Sequence, residues 1–438
     1  MLKKLGYTLV TILLVVIGGY IIFQYFPGFR MPYLFTVVLV VLHFYVFTAI
    51  RPRCKKLSPL PRILLGFAFW LPVIILFAGG LALIFEPMEA WSPFLRIYFI
   101  GIIFTFIVSL ILPVTFIFIA DLLRFFQATH LFLSGKKKRK AKNAISRKKF
   151  LVNTGLAMGG VVLGSMGFGM LHGTYHFKIF RERLKINKLQ LELDGFRIVQ
   201  ISDFHLGTWV SKDPLIRAVD QINALEPDVI FFTGDLVNNI TEEAFPFFEE
   251  LRKLKATKGI YCILGNHDYG KYHHWESEEE EERNFDQLLS FYENLDWKLL
   301  RNEHVVIKVE DAELMIAGVE NWSENPRFPR LGDLNKALLG ASDSTVKILL
   351  SHDPTHWDAE VLKHKQHIDL TLSGHTHGFQ VGIETPFFRW SPAQYLYKHW
   401  AGLYVQEEQY LYVNRGIGAI GFPGRIGIRP EITLIELV

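Results

Sequence analysis

The stretch "YCILGNHDYG", residues 261–270, decides the fold. An apolar run, Tyr261 to Leu264, stops at Gly265-Asn266-His267-Asp268. The run reads as a buried strand. Burying an amide, an imidazole and a carboxylate side by side is costly unless each finds a partner. The strand end must therefore meet solvent, a hydrogen-bond network or a metal. The same construction recurs in "FRIVQISDFH" (196–205), "PDVIFFTGD" (227–235), "VKILLSHD" (346–353) and "IDLTLSGHTHG" (368–378). Helical stretches near 213–225 and 242–254 separate the first three strands, which argues for β-α units. "HVVIKVE" and "AELMIAGVE" read as a hairpin, and "YLYVNRG" (410–416) and "EITLIEL" (431–437) have no helix between them. The expected architecture is a sandwich of two mixed sheets with flanking helices. Ligands of open α/β sheets gather beyond the carboxyl ends of the strands. Asp203, His205, Asp235, Asn266, His267, Asp268, His352, Asp353, His375 and His377 all fall at such ends.

The chain ahead of this region is of another kind. Residues 1–171 hold 19 Lys and Arg but only three acids, Glu86, Glu89 and Asp121, whereas 172–438 hold 28 Lys and Arg against 40 Asp and Glu. Half the chain is hydrophobic and the mean hydropathy is +0.22, high for a soluble protein. "LGYTLVTILLVVIGGYIIFQYF" (5–26) is long enough to span a bilayer. Further runs follow near 33–50, 63–85 and 97–120, with a glycine-rich fifth at 150–171. The expectation is a membrane domain over 1–149 with four transmembrane helices and a basic loop, a fifth helix or anchor over 150–171, and a globular domain over 172–438. Lys and Arg alternate between rich and poor loops: Lys3 and Lys4, then Arg51 to Arg62, then Lys136 to Lys149 on one side. By the positive-inside rule the N-terminus is cytoplasmic, and an odd number of spans puts 172–438 on the external, periplasmic face of the cell (inner) membrane. "SRKKFL" (146–151) resembles a twin-arginine export signal with Arg-Lys in place of Arg-Arg. A nucleic-acid role for the basic loop does not fit beside membrane spans. Cys54 and Cys262 fall on opposite faces, so no intrachain disulfide is expected.

Taken together, "DFH" at 203–205, "GD" at 234–235, "GNHD" at 265–268, "SHD" at 351–353 and "GHTH" at 374–377 resemble the calcineurin-like metallophosphoesterases, in their order and over about 195–438. The wording is nearest the bacterial membrane-anchored or exported branch of that family, with Phe204 and Phe379 where a Leu and a Gly are usual. The resemblance implies a four-layer α/β/β/α sandwich behind a bundle of about five transmembrane helices. It implies two divalent cations, one held by Asp203, His205, Asp235 and His377, the other by Asp235, Asn266, His352 and His375, with Asp235 bridging. Mixed imidazole and carboxylate ligands suit Mn, Fe or Zn better than Ca or Mg. His267 is then implied as general acid, with Asp268 orienting it, and a metal-bridging hydroxide as nucleophile. The implied activity is that of a phosphodiesterase or pyrophosphatase on a lipid or envelope phosphoester. Alternatives are an exported hydrolase of soluble nucleotides and a non-catalytic membrane scaffold.

Three segments bear on the substrate. "PFFRWSPAQYLYKHWAGLY" (386–404), with Arg389, Lys398 and His399, is either a packed loop or an aromatic lip suited to an interface. In "NRGIGAIGFPGRIGIRP" (414–430), Arg415 is the expected substrate anchor, with a salt bridge inside the domain as its alternative. "ESEEEEER" (276–283) reads as the solvated start of a helix.

Overall fold

The computed structural model describes residues 16–135, 147–342 and 345–438. They divide into two compact units, one ending at Gly167 and the other running from Phe168 to Val438.

The first unit is helical. Four helices are long and apolar enough to cross a membrane: Pro27–Cys54, Pro59–Phe85, Pro93–Ser134 and Arg147–Gly173. The first half of the first expected span, residues 5–15, lies outside the described residues; Val16–Tyr25 in its second half is a shorter apolar helix. The basic stretch 136–146 also lies outside the described residues. Lipid-facing side chains such as Phe67, Phe77 and Phe118 are exposed, as a bilayer solvent requires. Asp121 is bonded by Lys148 Nζ at 2.8 Å and by the Tyr45 hydroxyl at 3.0 Å. An acid on an apolar helix is retained only with such partners.

The second unit is built on two six-stranded sheets. In the first, β1 (Lys178–Leu184), β14 (Glu431–Leu437), β2 (Arg197–Ile201), β3 (Val229–Phe232), β4 (Ile260–Cys262) and β5 (Lys298–Leu299) lie side by side. β2 to β5 are parallel, and β14 runs antiparallel to β2. In the second, the order is β12 (Gly402–Gln406), β13 (Gln409–Val413), β9 (Leu370–Ser373), β8 (Val346–Leu350), β7 (Ala312–Gly318) and β6 (Glu303–Val309). β6 and β7 form the expected hairpin. Both sheets are mixed, as expected. Ile198, Val229 and Phe231 from one sheet meet Ile316, Ile348, Leu350 and Leu372 from the other in a dry core. On the outer face of the first sheet, the helices Asp213–Asn223 and Glu278–Asn294 deliver Leu215, Val219, Ile222, Leu288 and Tyr292. Trp357 and Leu334 cover the second sheet. The result is the expected α/β/β/α layering.

One expected helix is reduced. Residues 241–251 form 3-10 turns and a four-residue helix, Phe248–Leu251, instead of a helix over 242–254. Pro246 removes a backbone donor there and interrupts propagation.

Candidate metal centre

Strands β2, β3, β4, β8 and β9 end at one edge, and the next residues of each are the Asp and His positions singled out above. The backbone is strained there. Asp203, His205, Asp235, His375 and His377 all have positive φ, between 47° and 72°. Such conformations cost about 1–3 kcal/mol each for residues with a Cβ and persist where surrounding contacts enforce them. The motif glycines serve the same crowding. A Cβ on Gly265 would lie 2.2 Å from Asp235 Oδ1, and one on Gly374 would lie 2.3 Å from Asp203 Oδ2.

Three overlapping groups of donors result, one of them His205, Asp235 and His267. Asp203, His205 and His377 form another, and Asp235, His352 and His375 the third. Asp235 lies between them, its Oδ2 3.1 Å from His352 Nε2 and 3.5 Å from His205 Nε2. His205 Nε2 and His377 Nε2 are 2.9 Å apart, and Asp203 Oδ1 is 3.2 Å from the latter. Two bare imidazole nitrogens at that distance repel. A proton on one of them, or a cation held by both, would relieve that repulsion. Asn266 is buried, and its Oδ1 has no hydrogen-bond partner among the described residues, while its Nδ2 donates to the Tyr272 hydroxyl at 2.8 Å. An orphaned carbonyl of that kind is a good oxygen ligand. These residues fit divalent cations.

Neighbouring groups set the tautomers. His352 Nδ1 lies 2.7 Å from the Thr233 carbonyl, which can only accept, so Nδ1 carries the proton and Nε2 faces Asp235. His375 Nε2 is engaged by the Tyr397 hydroxyl at 3.0 Å and faces Asp353 at 3.4 Å, which leaves Nδ1 for a metal. Burial alone would raise the pKa of both central carboxylates, but His377 beside Asp203 and His352 beside Asp235 hold them low. Burial opposes charge on His352 as well, yet Asp235 pushes its pKa up to about 10. Of the expected ligands and His267, only His267 and His375 are partly open to solvent, so the approach to the site lies between them.

Two expectations about supporting residues are overturned. Asp268 does not orient His267. Its carboxylate is fully buried and accepts from the backbone N–H of Gly265, Asp235 and Leu236 at 2.8–2.9 Å. His267 is held instead by the Asn238 carbonyl, 2.7 Å from Nδ1. Nor does Arg415 face a substrate. It is 2% exposed, its Nη1 donates to Glu431 at 2.5 Å and its Nη2 to Glu384 at 2.5 Å. The domain's own acids outcompete solvent and ligand for it. Arg425 and Arg429 likewise donate to backbone carbonyls, Arg425 to those of residues 415, 416 and 418 and Arg429 to those of 176 and 177. Asn238, Tyr272, Phe328 and Tyr397 at the site were not singled out for it from sequence. Of these, only Tyr397 lies in a segment already marked as aromatic.

Two outcomes follow from this geometry. Asp235→Asn should lose more bound divalent metal than His377→Ala or His352→Ala, each of which touches one donor group; elemental analysis of the purified proteins reads this. Arg415→Ala should leave Glu431 buried without its counter-ion and cost about 3–5 kcal/mol. Its melting temperature should fall while KM stays at the wild-type value. A raised KM at unchanged melting temperature would restore it as a substrate anchor.

Comparison with known proteins agrees with this geometry. Residues 196–379 match the family model "Calcineurin-like phosphoesterase", and residues 29–174 match "Probable Calcineurin-like phosphoesterase, transmembrane domain". The chain is 31% identical over 283 residues to a zebrafish (Danio rerio) transmembrane protein with metallophosphoesterase domain, a match covering 62% of this chain and 59% of that one. It is 32% identical to a Helicobacter pylori metallophosphoesterase over 63% of this chain and 68% of the relative. It is 31% identical to the Bacillus subtilis metallophosphoesterase YkuE over 67% of this chain and 98% of the relative. With its metal-ligand motifs assembled at one sheet edge and a matching transmembrane domain ahead of them, the chain belongs to the calcineurin-like phosphoesterase family.

Proposed function

We propose that this protein is a membrane-anchored, dinuclear-metal phosphoesterase that hydrolyses a phosphodiester or pyrophosphate bond of a lipid or cell-envelope substrate. The observation that carries the reading is Asp235, a buried carboxylate shared between two groups of donors. Asp203, His205, Asp235 and His377 would hold one ion, and Asp235, Asn266, His352 and His375 the other. When bound, Mn, Fe or Zn supplies Lewis-acid polarisation of the phosphoryl oxygens and lowers the pKa of water toward neutrality. The chain's own residues do the rest. Asp235 also accepts the His267 backbone N–H at 2.8 Å, which ties the acid to the ligand set. The Asn238 carbonyl keeps a proton on His267 Nδ1, so Nε2 is the atom that gives a proton to the departing oxygen. Tyr272 packs against the His267 ring at 4.3 Å between centroids and limits its rotation. Tyr397 and Phe328, both against His375, give the opening an aromatic rim suited to an amphiphile.

Orientation is part of the proposal. The alternation of basic and neutral loops supports a catalytic domain on the external face of the cell membrane. Leu339, 78% exposed in the second unit, is a suitable reporter. A cysteine there should react with an impermeant maleimide added to whole cells, and one at Lys138 should not. The reverse pattern removes the topology.

The catalytic reading is tested at His267, which also lies near enough to His205 and Asp235 to be a ligand. His267→Gln should keep its metal and lose turnover by roughly 10²–10⁴ on alkyl phosphodiesters, the usual range for a lost general acid. The loss should be small for nitrophenyl esters, whose leaving group departs without a proton. Loss of metal in this variant would make His267 a ligand, and equal loss across the leaving-group series would remove its role as acid.

A further inference from the structure

The segment that follows the "GHTH" motif exposes its large apolar side chains and ties its charged ones to the protein. β10 (Ile383–Glu384) and β11 (Arg389–Trp390) form a short antiparallel hairpin with Thr385-Pro386-Phe387-Phe388 at the tip. Phe387 is 99% exposed, Phe388 56% and Ile383 51%; in the adjoining turn Tyr395 is 73% exposed and Leu396 69%. Every charged side chain between 383 and 400 has a protein partner instead. Glu384 pairs with Arg415, and Arg389 donates to the Ala401 carbonyl at 2.6 Å with its guanidinium over Trp400. Lys398 bonds Asp358 at 2.8 Å, and His399 Nε2 lies 3.0 Å from the same carboxylate. Arg389 and Lys398 stay exposed while held by these partners, and the phenylalanines beside them face outward too. A contiguous apolar patch of this kind marks an interaction surface.

The root of the hairpin is fixed close to the end of the last apolar helix, and the contacts lie within the second unit. That helix ends in the π-turn Gly169–Gly173, where Phe168 and Leu171 remain exposed. The Arg425 N–H donates to the Gly169 carbonyl at 3.2 Å, and the Thr174 hydroxyl donates to the Pro423 carbonyl at 3.1 Å. One residue on, the Ile426 N–H donates to the Gln380 carbonyl at 2.7 Å, and Gly382 N–H to the Ile426 carbonyl at 2.8 Å. Ile383 follows directly. Two backbone-to-backbone steps of about 4.8 Å thus separate the end of the helix from the base of the hairpin, and five extended residues reach about 17 Å further. The interfacial layer of a bilayer lies within that reach. The same segment borders the site. Tyr397 bonds His375, and Ser391 Oγ donates to the Gly378 carbonyl at 2.7 Å.

We infer that the hairpin 383–390 and the turn 392–396 form a docking surface whose occupant is the lipid bilayer that holds the chain's own apolar helices. Phe387 and Phe388 enter the interface, Tyr395 and Trp390 sit at its polar edge, and the approach past His375 opens toward lipid headgroups. Aromatic side chains favour that layer because one end is apolar and the other bonds water. The inference rests on the reading of this protein as a membrane-anchored phosphoesterase and deepens it by giving the route by which a bilayer-resident phosphoester reaches the site.

The test uses the full chain in vesicles of phosphatidylcholine and phosphatidylglycerol, in a Cys54→Ser background with Cys262 left buried. An environment-sensitive fluorophore is placed at Phe387→Cys and, as control, at Leu339→Cys. Nitroxide lipids labelled near the headgroup should quench most of the emission at 387 and none at 339. Emission at 387 that is water-like, or blue-shifted but unquenched as in contact with a second protein copy, overturns the inference. A second arm compares wild type with the Phe387→Ser/Phe388→Ser double variant. Hydrolysis of soluble bis(para-nitrophenyl) phosphate should be unchanged. Hydrolysis of para-nitrophenyl hexadecyl phosphate in the vesicles should fall by about a hundredfold or more, the scale expected for losing two buried rings. Equal rates of variant and wild type on both substrates overturn the inference. Quenching at 387 with no hydrolysis of either substrate supports the docking surface and removes the phosphoesterase reading.

Discussion

The arrangement of the site depends on one buried carboxylate that touches no metal position. Asp268 takes the backbone N–H of Gly265 in its own loop and those of Asp235 and Leu236 in the loop after β3. Three charge-assisted bonds from two loops lock the spacing of Asp235 and Asn266, the residues proposed to complete the second ion's set. Burial, then the nearby Asp235 charge, push the Asp268 pKa up to about 7. The carboxylate tolerates that position because each of its oxygens is met by fixed donors. Its loss would free the loops to relax from the left-handed conformations of Asp235 and its neighbours.

That strain is supported by the layers beneath. Ile201 and Phe232, the last residues of β2 and β3, are fully buried. They hold the strand ends rigid, so the turns cannot slide outward. On the other side, Arg425 is buried among the carbonyls of residues 415–418, with its guanidinium 3.3 Å from His377 Nδ1. Burial lowers its pKa to about 9, and the domain accepts that cost to hold the glycine-rich loop behind the ligand. Much of the polar machinery thus serves the backbone. Asp268, Arg425 and Asn238 position ligands, while few side chains face the opening.

The two ends of the chain's chemistry are linked by position in sequence. The segment 374–400 supplies two proposed ligands at its start, a bond to one of them through Tyr397, and the exposed aromatic hairpin between. Tethering and recognition can therefore share one loop. Residues that would bind phosphate on a soluble enzyme, the arginines of 414–430, are all spent on acids and carbonyls of the fold. On the proposed reading, substrate selection is left to the metals and the aromatic rim.

The sequence by itself determined the two-part character of the chain, the layered α/β fold and the family. Apolar length and charge asymmetry are additive properties that need no partner, so the helices were legible at once. Strand ends bearing Asp and His in GNHD and GHTH order were legible because only a ligand-binding edge repays that many buried polar groups. Tertiary structure decided the rest. Whether Asp268 meets His267 or three backbone amides depends on how close the β3 loop comes, and adjacency in sequence pointed the wrong way. Arg415 carries the same signal whether it forks a phosphate or a carboxylate; Glu384 and Glu431, distant in sequence, settled it. The first edge strand, Lys178–Leu184, lacks a clean alternation and was recognisable only once β14 lay parallel beside it. The aromatic run 386–404 fitted core or surface equally until the fold turned its phenylalanines out, because the direction of a side chain in a loop is set by what the loop packs against.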